Sequence, residues 1–247
     1  MKTSLKIFLG GVFMKKIAAV SLLLLITLSS MGAKSYVGLS LSPYFEFGSG
    51  SWMGKDRDSD AAINVTHDEK LFVFGAEFRL DLGLYKRWGK HSLGVEVGTG
   101  IALPVIHKND VGNAAPQIND IPLYTYALTP YIALTYLYSP TNDFSFGAGL
   151  GIESTVGWLN ERLDDGDAAK GHAYDYFKYF IDIPMMYSFT DTWAMRWGIS
   201  VSMTPLLMIE NYTREVYDNT GELLYDTMSS ASIIFRIKPY IGVAYTF

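Results

Sequence analysis

Pro239-Tyr-Ile-Gly-Val-Ala-Tyr-Thr-Phe247 closes the chain, and its reading decides the fold. Counting back in steps of two puts Phe247, Tyr245, Val243, Ile241 and Pro239 on one face and Thr246, Ala244, Gly242 and Tyr240 on the other. Side chains of a β-strand alternate between two faces, so this period of two reads as a strand. One face is apolar and ends on an aromatic, whereas the other is small or polar. That division fits a barrel wall in a membrane, with lipid outside and a polar interior.

The same nine residues resemble the C-terminal signal of bacterial outer-membrane proteins, a final Phe preceded by alternating apolar residues. The resemblance implies that Ile241, Val243, Tyr245 and Phe247 form an assembly signal read by the barrel assembly machinery. The other end of the chain agrees with export. Met14-Lys15-Lys16 precedes the apolar run Ile17 to Leu28, and Ser29-Ser30-Met31-Gly32-Ala33 follows it. That run is too short to span a bilayer as a helix. A basic start, a short apolar stretch and a small-residue exit make a secretory signal peptide. We therefore expect residues 1–33 to be the signal peptide and 34–247 the barrel. Met14 would begin a normal signal by itself, so a start at Met14, with residues 1–13 an over-extension, is the alternative expectation.

Composition narrows the partners. There is no Cys, hence neither a disulfide framework nor a lipid-modified cysteine after the signal. Removing residues 1–33 takes away Lys2, Lys6, Lys15 and Lys16 and no acid, leaving 16 bases against 25 acids and a net charge of −9. Phosphate-rich partners need a basic stripe, so no nucleic acid is expected.

Segments of period two recur at about 36–47, 71–84, 92–105, 123–138, 144–158, 176–189, 193–205 and 230–247. The clearest sets Phe72, Phe74, Ala76, Phe78, Leu80, Leu82 and Leu84 against Val73, Gly75, Glu77, Arg79, Asp81 and Gly83. The breaks at 85–91, 139–143 and 190–192 are short, and those at 48–70, 106–122, 159–175 and 206–229 are long and polar. Short turns at one end and long loops at the other predict an all-β fold, an eight-stranded antiparallel up-and-down transmembrane β-barrel. Both termini then lie at the short-turn, periplasmic side of a bacterial outer membrane, with the long loops extracellular. Tyr217-Asp-Asn-Thr-Gly221 reads as a hairpin turn, which would extend strands seven and eight beyond the membrane. Pro43, Pro104, Pro130, Pro184, Pro205 and Pro239 fall in or at the ends of these segments, where a missing donor predicts bulges or shifted boundaries.

With the Phe/Leu/Val parity outward, the inward parity collects Glu46, Glu77, Arg79, Asp81, Glu96, Glu153, Lys178, Asp182, Arg196, Arg236 and Lys238. No expected strand carries a charge on its outward parity, as the cost of a charge in hydrocarbon, roughly 2–4 kcal/mol for a midplane Arg or Lys, demands. Outward aromatics sort into two belts. Phe45, Phe47, Phe72, Phe74, Tyr124, Tyr126, Trp158, Phe177 and Tyr179 stand near the loop end, and Tyr136, Tyr138, Phe144, Phe146, Phe189, Trp193, Tyr245 and Phe247 near the turn end. Gly94, Gly98, Gly100 and Ser200 are expected to leave room for the long arms of Arg and Lys.

An eight-stranded barrel is narrow enough for side chains to fill. Near-neutral charge in a confined interior favours paired, hydrogen-bonded groups, a plug that holds the barrel closed. The layout resembles the small outer-membrane barrels of the OmpA, OmpX and OmpW type across nearly the whole chain. OmpA- and OmpX-like members have polar interiors, which fits. OmpW-like members are linked to uptake of small hydrophobic molecules, which the charged inward set does not fit. The resemblance carries over no functional residue.

His67, His91, His107 and His172 and the Asp-rich stretches 56–60 and 164–167 are the candidates for catalysis at the rim. Clustered Asp and His could activate water, as in the omptin-type barrels that this arrangement faintly resembles. Those barrels are longer, with ten strands, and the acid spacing is not reproduced here. Solvated loop charges explain the same residues. No catalytic residue, metal ligand or cofactor is assigned. The expected function is a non-enzymatic barrel with a charge-plugged lumen, whose loops serve envelope integrity, adhesion or contact with an extracellular protein or glycan. A narrow porin for small solutes is the alternative, and an omptin-like rim hydrolase a distant third. Trp52, Met53, Tyr212, Tyr217 and Tyr225 are the loop aromatics suited to such contacts.

Overall fold

The computed structural model describes residues 34–56, 65–110, 124–162, 168–204, 210–217, 220 and 223–247. The expected signal peptide lies outside them. The described chain is almost wholly strand: β1 Lys34–Asp56, β2 Val65–Trp88, β3 His91–Asp110, β4 Tyr126–Leu128, β5 Tyr131–Tyr138, β6 Phe144–Arg162, β7 Ala168–Ser188, β8 Trp193–Met203, β9 Glu210–Tyr217 and β10 Leu223–Thr246. All pairings are antiparallel between neighbours, and β1 pairs with both β2 and β10, so the sheet closes on itself. The pair β4 and β5 lies end to end between β3 and β6, and β8 and β9 likewise between β7 and β10. Ten segments thus make eight staves, an eight-stranded barrel. The seam is finished by Phe247 N donating to Ser35 O at 2.9 Å.

Closure of the ring removes the edge strands, whose unpaired backbone hydrocarbon cannot satisfy. The surface is the reverse of a soluble protein's. Leu39, Phe78, Leu134, Leu150, Ile181 and Ile241 are exposed, whereas Glu46, Glu77, Glu96, Lys178, Arg236 and Lys238 are buried. Lipid is the medium in which that inversion is stable. On β10, Phe235 to Tyr245 runs beside Phe47 to Val37 on β1. Eleven residues of tilted strand is about the length that crosses a bilayer core.

Both belts contain ring pairs across neighbouring strands. Near the loop end Phe45 meets Phe74 at 5.0 Å, Phe47 meets Phe72 at 5.3 Å and Tyr126 stacks on Trp158 at 5.2 Å. Near the turn end Trp193 meets Tyr245 at 5.1 Å. Tyr124 corrects the expected belt. It is buried inside the barrel, its hydroxyl 3.3 Å from that of Tyr44. Tyr124 precedes β4, where the backbone bends and strand alternation no longer applies. The side chain of Phe177 lies outside the described residues.

The staves run further than the sequence implied. Pairing of β1 with β2 continues to Gly54↔Val65, and of β6 with β7 to Arg162↔Ala168. Much of the expected loops at 48–70 and 159–175 is therefore strand. Beyond the bilayer both faces meet water, so hydrophobic alternation fades while the ladder persists. Tyr217 pairs with Leu223 across the expected hairpin.

The prolines act in different ways. Pro130 interrupts the fourth stave between β4 and β5, yet Thr129 N still reaches Gly100 O at 2.9 Å. A register shift between Phe74 and Gly75 opposes them to Ile106 and Pro104, a bulge at Val105. Pro43 and Pro239 fall opposite each other where the β1–β10 ladder has no pairs between Leu41↔Ile241 and Phe45↔Ile237. Ser42 Oγ fills part of that gap, donating to Pro239 O at 2.7 Å. Pro184 falls in a similar gap between Phe146↔Met185 and Gly149↔Asp182. Pro205 lies outside the described residues.

Candidate functional site

All eleven charges of the inward parity are buried, none more than 7% exposed. They form two linked clusters. In the loop-side cluster, Arg236 of β10 holds Glu46 of β1 with Nε at 2.5 Å and Nη2 on the same carboxylate. Its Nη1 stands 3.7 Å from Glu153 of β6. Lys238 Nζ donates to Glu153 at 2.5 Å and stands 3.4 Å from Glu77. Lys178 bonds Thr155 Oγ1 at 3.3 Å and lies 3.9 Å from Glu46, and Ser202 Oγ donates to Glu153 at 2.9 Å.

The turn-side cluster is organised by two guanidiniums. Arg196 of β8 donates to Glu96 of β3 at 2.5 Å and to the Tyr36 hydroxyl at 2.6 Å. It also lies 3.5 Å from Asp81 and 3.8 Å from Asp182. The staves of β3 and β8 are diametrically opposed in the ring, so Arg196–Glu96 crosses its full width. Arg79 joins the clusters, 3.5 Å from Asp81 and 3.7 Å from Glu77. Glu77 lies nearer to Lys238 than to Arg79.

Tyrosines complete the site, and the sequence reading missed them. Tyr131 donates to Asp81 at 2.5 Å, Tyr240 to Asp182 at 3.0 Å, and Tyr85 to Glu96. The Arg79 guanidinium lies 4.3 Å over the Tyr131 ring and the Arg236 guanidinium 5.2 Å from that of Tyr44. A cation over an aromatic face gains from the ring quadrupole, so these rings offset part of the cost of burying charge.

Each of these rings has a directly opposed glycine on the neighbouring strand: Tyr36↔Gly83, Tyr44↔Gly75, Tyr85↔Gly94, Tyr131↔Gly98 and Tyr240↔Gly198. A Cβ on Gly83 would stand 2.0 Å from Tyr36, one on Gly94 2.5 Å from Tyr85 and one on Gly98 2.5 Å from Tyr131. The room at Gly94 and Gly98 therefore serves tyrosine rings, not Arg and Lys arms as expected, and that at Gly100 serves Thr129 and the Glu77 carboxylate. The sequence offers the inward Tyr and Gly residues separately, and only the register shows that each of these rings faces a glycine.

Of the four histidines considered for the rim, only His91 and His107 have described side chains. The His91 ring is exposed at the turn end, its Nδ1 2.6 Å from the Tyr136 hydroxyl. The side chains of His67 and His172, and of Trp52, Met53, Tyr212, Tyr217 and Tyr225, lie outside the described residues, as do residues 57–60 and 164–167. Among the described residues no group of three or more His, Asp and Glu could hold a metal ion. Ile241, Val243, Tyr245 and Phe247 all face outward, Phe247 being 70% exposed.

No protein-family model and no curated protein matches the sequence. Solved structures do. Neisserial surface protein A is 8% identical with a TM-score of 0.49, over 86% of this chain and 97% of that one. The outer membrane protein OprG from Pseudomonas aeruginosa is 12% identical with a TM-score of 0.45, over 87% and 97%. The outer membrane protease OmpT from Escherichia coli is 12% identical with a TM-score of 0.39, over 87% and 96%. The eight-stranded barrel itself rests on the closed ladder, with β1 paired to both β2 and β10.

Proposed function

We propose that this protein is a non-enzymatic barrel of the bacterial outer membrane, held shut by its own lumen charges and acting through its loop end in envelope integrity, adhesion or contact with an extracellular protein or glycan. The observation that carries the reading is Arg196–Glu96 at 2.5 Å, an ion pair between opposed staves with Asp81, Asp182 and Tyr36 around it. A solute on the barrel axis would have to separate that pair and leave both charges unpaired in a confined space, at a cost of several kcal/mol. In this reading the termini and short turns are periplasmic. The outward Phe247 strand is offered there to the barrel assembly machinery, and the long polar loops face the exterior.

Planar-bilayer conductance of the refolded protein, over a range of salt concentrations, tests the plug. Silence from protein shown to be folded is the expected result. Reproducible single channels would overturn the closed lumen and make the protein a narrow porin, with the eleven charges as its selectivity residues.

A further inference from the structure

We propose that the turn end of β1, β2 and β3 is a docking surface for the anionic headgroups of glycerophospholipids. The inference rests on the membrane-spanning reading and goes beyond it, because it assigns a ligand to one arc of the rim. Lys34, Lys86, Arg87 and Lys90 are all exposed there. The segment from Leu84 to Ser92 contains no acid. The other two turns carry Asp143 and Asp191 and no base, so positive charge is confined to this arc. In a chain with a net charge of −5, that segregation is not a general basicity.

The arc is built rather than loose. Gly89 at φ 61 and Lys90 make a two-residue hairpin, with Trp88 paired to His91. Arg87 Nε donates to Gly89 O at 2.9 Å, which ties the guanidinium to the turn. Ser139 N donates to Lys90 O at 2.8 Å, which joins this turn to the next stave. An aromatic row shares this end of the staves. Trp88 stacks on His91 at 6.4 Å, and His91 lies 5.5 Å from Tyr138 and bonds Tyr136.

Aromatic rings of that kind settle at the level where hydrocarbon gives way to headgroups. Arg87 and Lys86, paired with Ser92 and Leu93, lie one and two residues to the membrane side of the Trp88–His91 rung, and Lys90 lies just beyond it in the turn. A Lys at this level can lay its apolar stem along the rings while its ammonium reaches the lipid phosphates. Each Lys or Arg near an anionic surface strengthens binding about fivefold.

The test counts bound lipids by native mass spectrometry on the refolded protein in neutral detergent, titrated with phosphatidylglycerol or with phosphatidylcholine of the same acyl chains. The wild type should retain phosphatidylglycerol at least about tenfold better. The triple variant Lys86→Gln, Arg87→Gln, Lys90→Gln should bring the two lipids to parity, while Lys70→Gln with Lys108→Gln at the loop end keeps the preference. Equal retention by the wild type, a preference that survives the triple variant, or an equal loss in the loop-end control would overturn the proposal. So would polyglutamate bound as tightly as phosphatidylglycerol, which would point to an acidic protein instead. If the triple variant does not fold, the wild-type preference decides, since it must fall steeply as salt rises from about 0.05 to 0.5 M. Insertion into phosphatidylcholine vesicles tests the membrane-spanning reading separately. A protein that inserts there but shows no headgroup preference sinks only the docking surface.

Discussion

Tyr36 and Gly83 show how single residues build this lumen. The tyrosine ring occupies the volume that any side chain at position 83 would need, with a Cβ there only 2.0 Å away. Gly83→Ala should therefore destabilise the barrel by roughly 1–3 kcal/mol, the usual range for overpacking. In a Tyr36→Ser background the same change should cost much less. A double-mutant cycle on urea unfolding in vesicles measures the coupling, and strict additivity would mean that ring and glycine do not compete for space. The charges make a second prediction. Glu77→Ala leaves Lys238 with one carboxylate and removes one of the two acids near Arg79, so stability should fall by about 3–5 kcal/mol. Removing Arg196 and Glu96 together, as Arg196→Met with Glu96→Leu, should cost far less than Arg196→Met alone, because no buried charge is stranded. Similar unfolding midpoints for single and double variants would indicate a hydrated lumen.

At the scale of strands, alternation and backbone pairing are separable. Alternation is imposed by lipid on one side and a polar lumen on the other, so it marks only the part of each stave that crosses the membrane. This is why β1, β2, β6 and β7 were legible in their centres and not at their loop-side ends. The break at Pro130 was legible too, because proline lacks a donor. Its consequence was not, since a stave can stay paired through Thr129 on one side and Pro130 O on the other. The C-terminal strand carries the prediction of this scale. Phe247 is exposed beside Tyr245, with ring centroids 6.4 Å apart, at the end of an outward apolar row. Phe247→Asp should sharply lower the yield of folded protein in the outer membrane while the isolated chain still refolds in detergent. Normal membrane yield would count against the terminal signal.

For the whole molecule, the balance of forces is that of a barrel turned inside out. Burial of apolar surface within the protein contributes little, because lipid is as apolar as the side chains it touches. Closure of the hydrogen-bond ladder and pairing of the lumen charges take over that role. Since those pairs are shielded from bulk salt, raising ionic strength from about 0.05 to 0.5 M should leave the unfolding midpoint nearly unchanged. A steep salt dependence would place the charges in contact with bulk electrolyte, as a conducting pore requires. The sequence by itself determined the barrel class, the parity of each membrane-crossing segment and the inward placement of the eleven charges, because period-two alternation follows directly from which face meets hydrocarbon. Only the tertiary structure decided that Arg196 meets Glu96, that Lys238 meets Glu153, and that tyrosine rings lie over glycines. Those contacts depend on register and on the closure of β1 against β10, and a residue's partner across the lumen is fixed by the stagger of the whole ring, not by its neighbours in the chain.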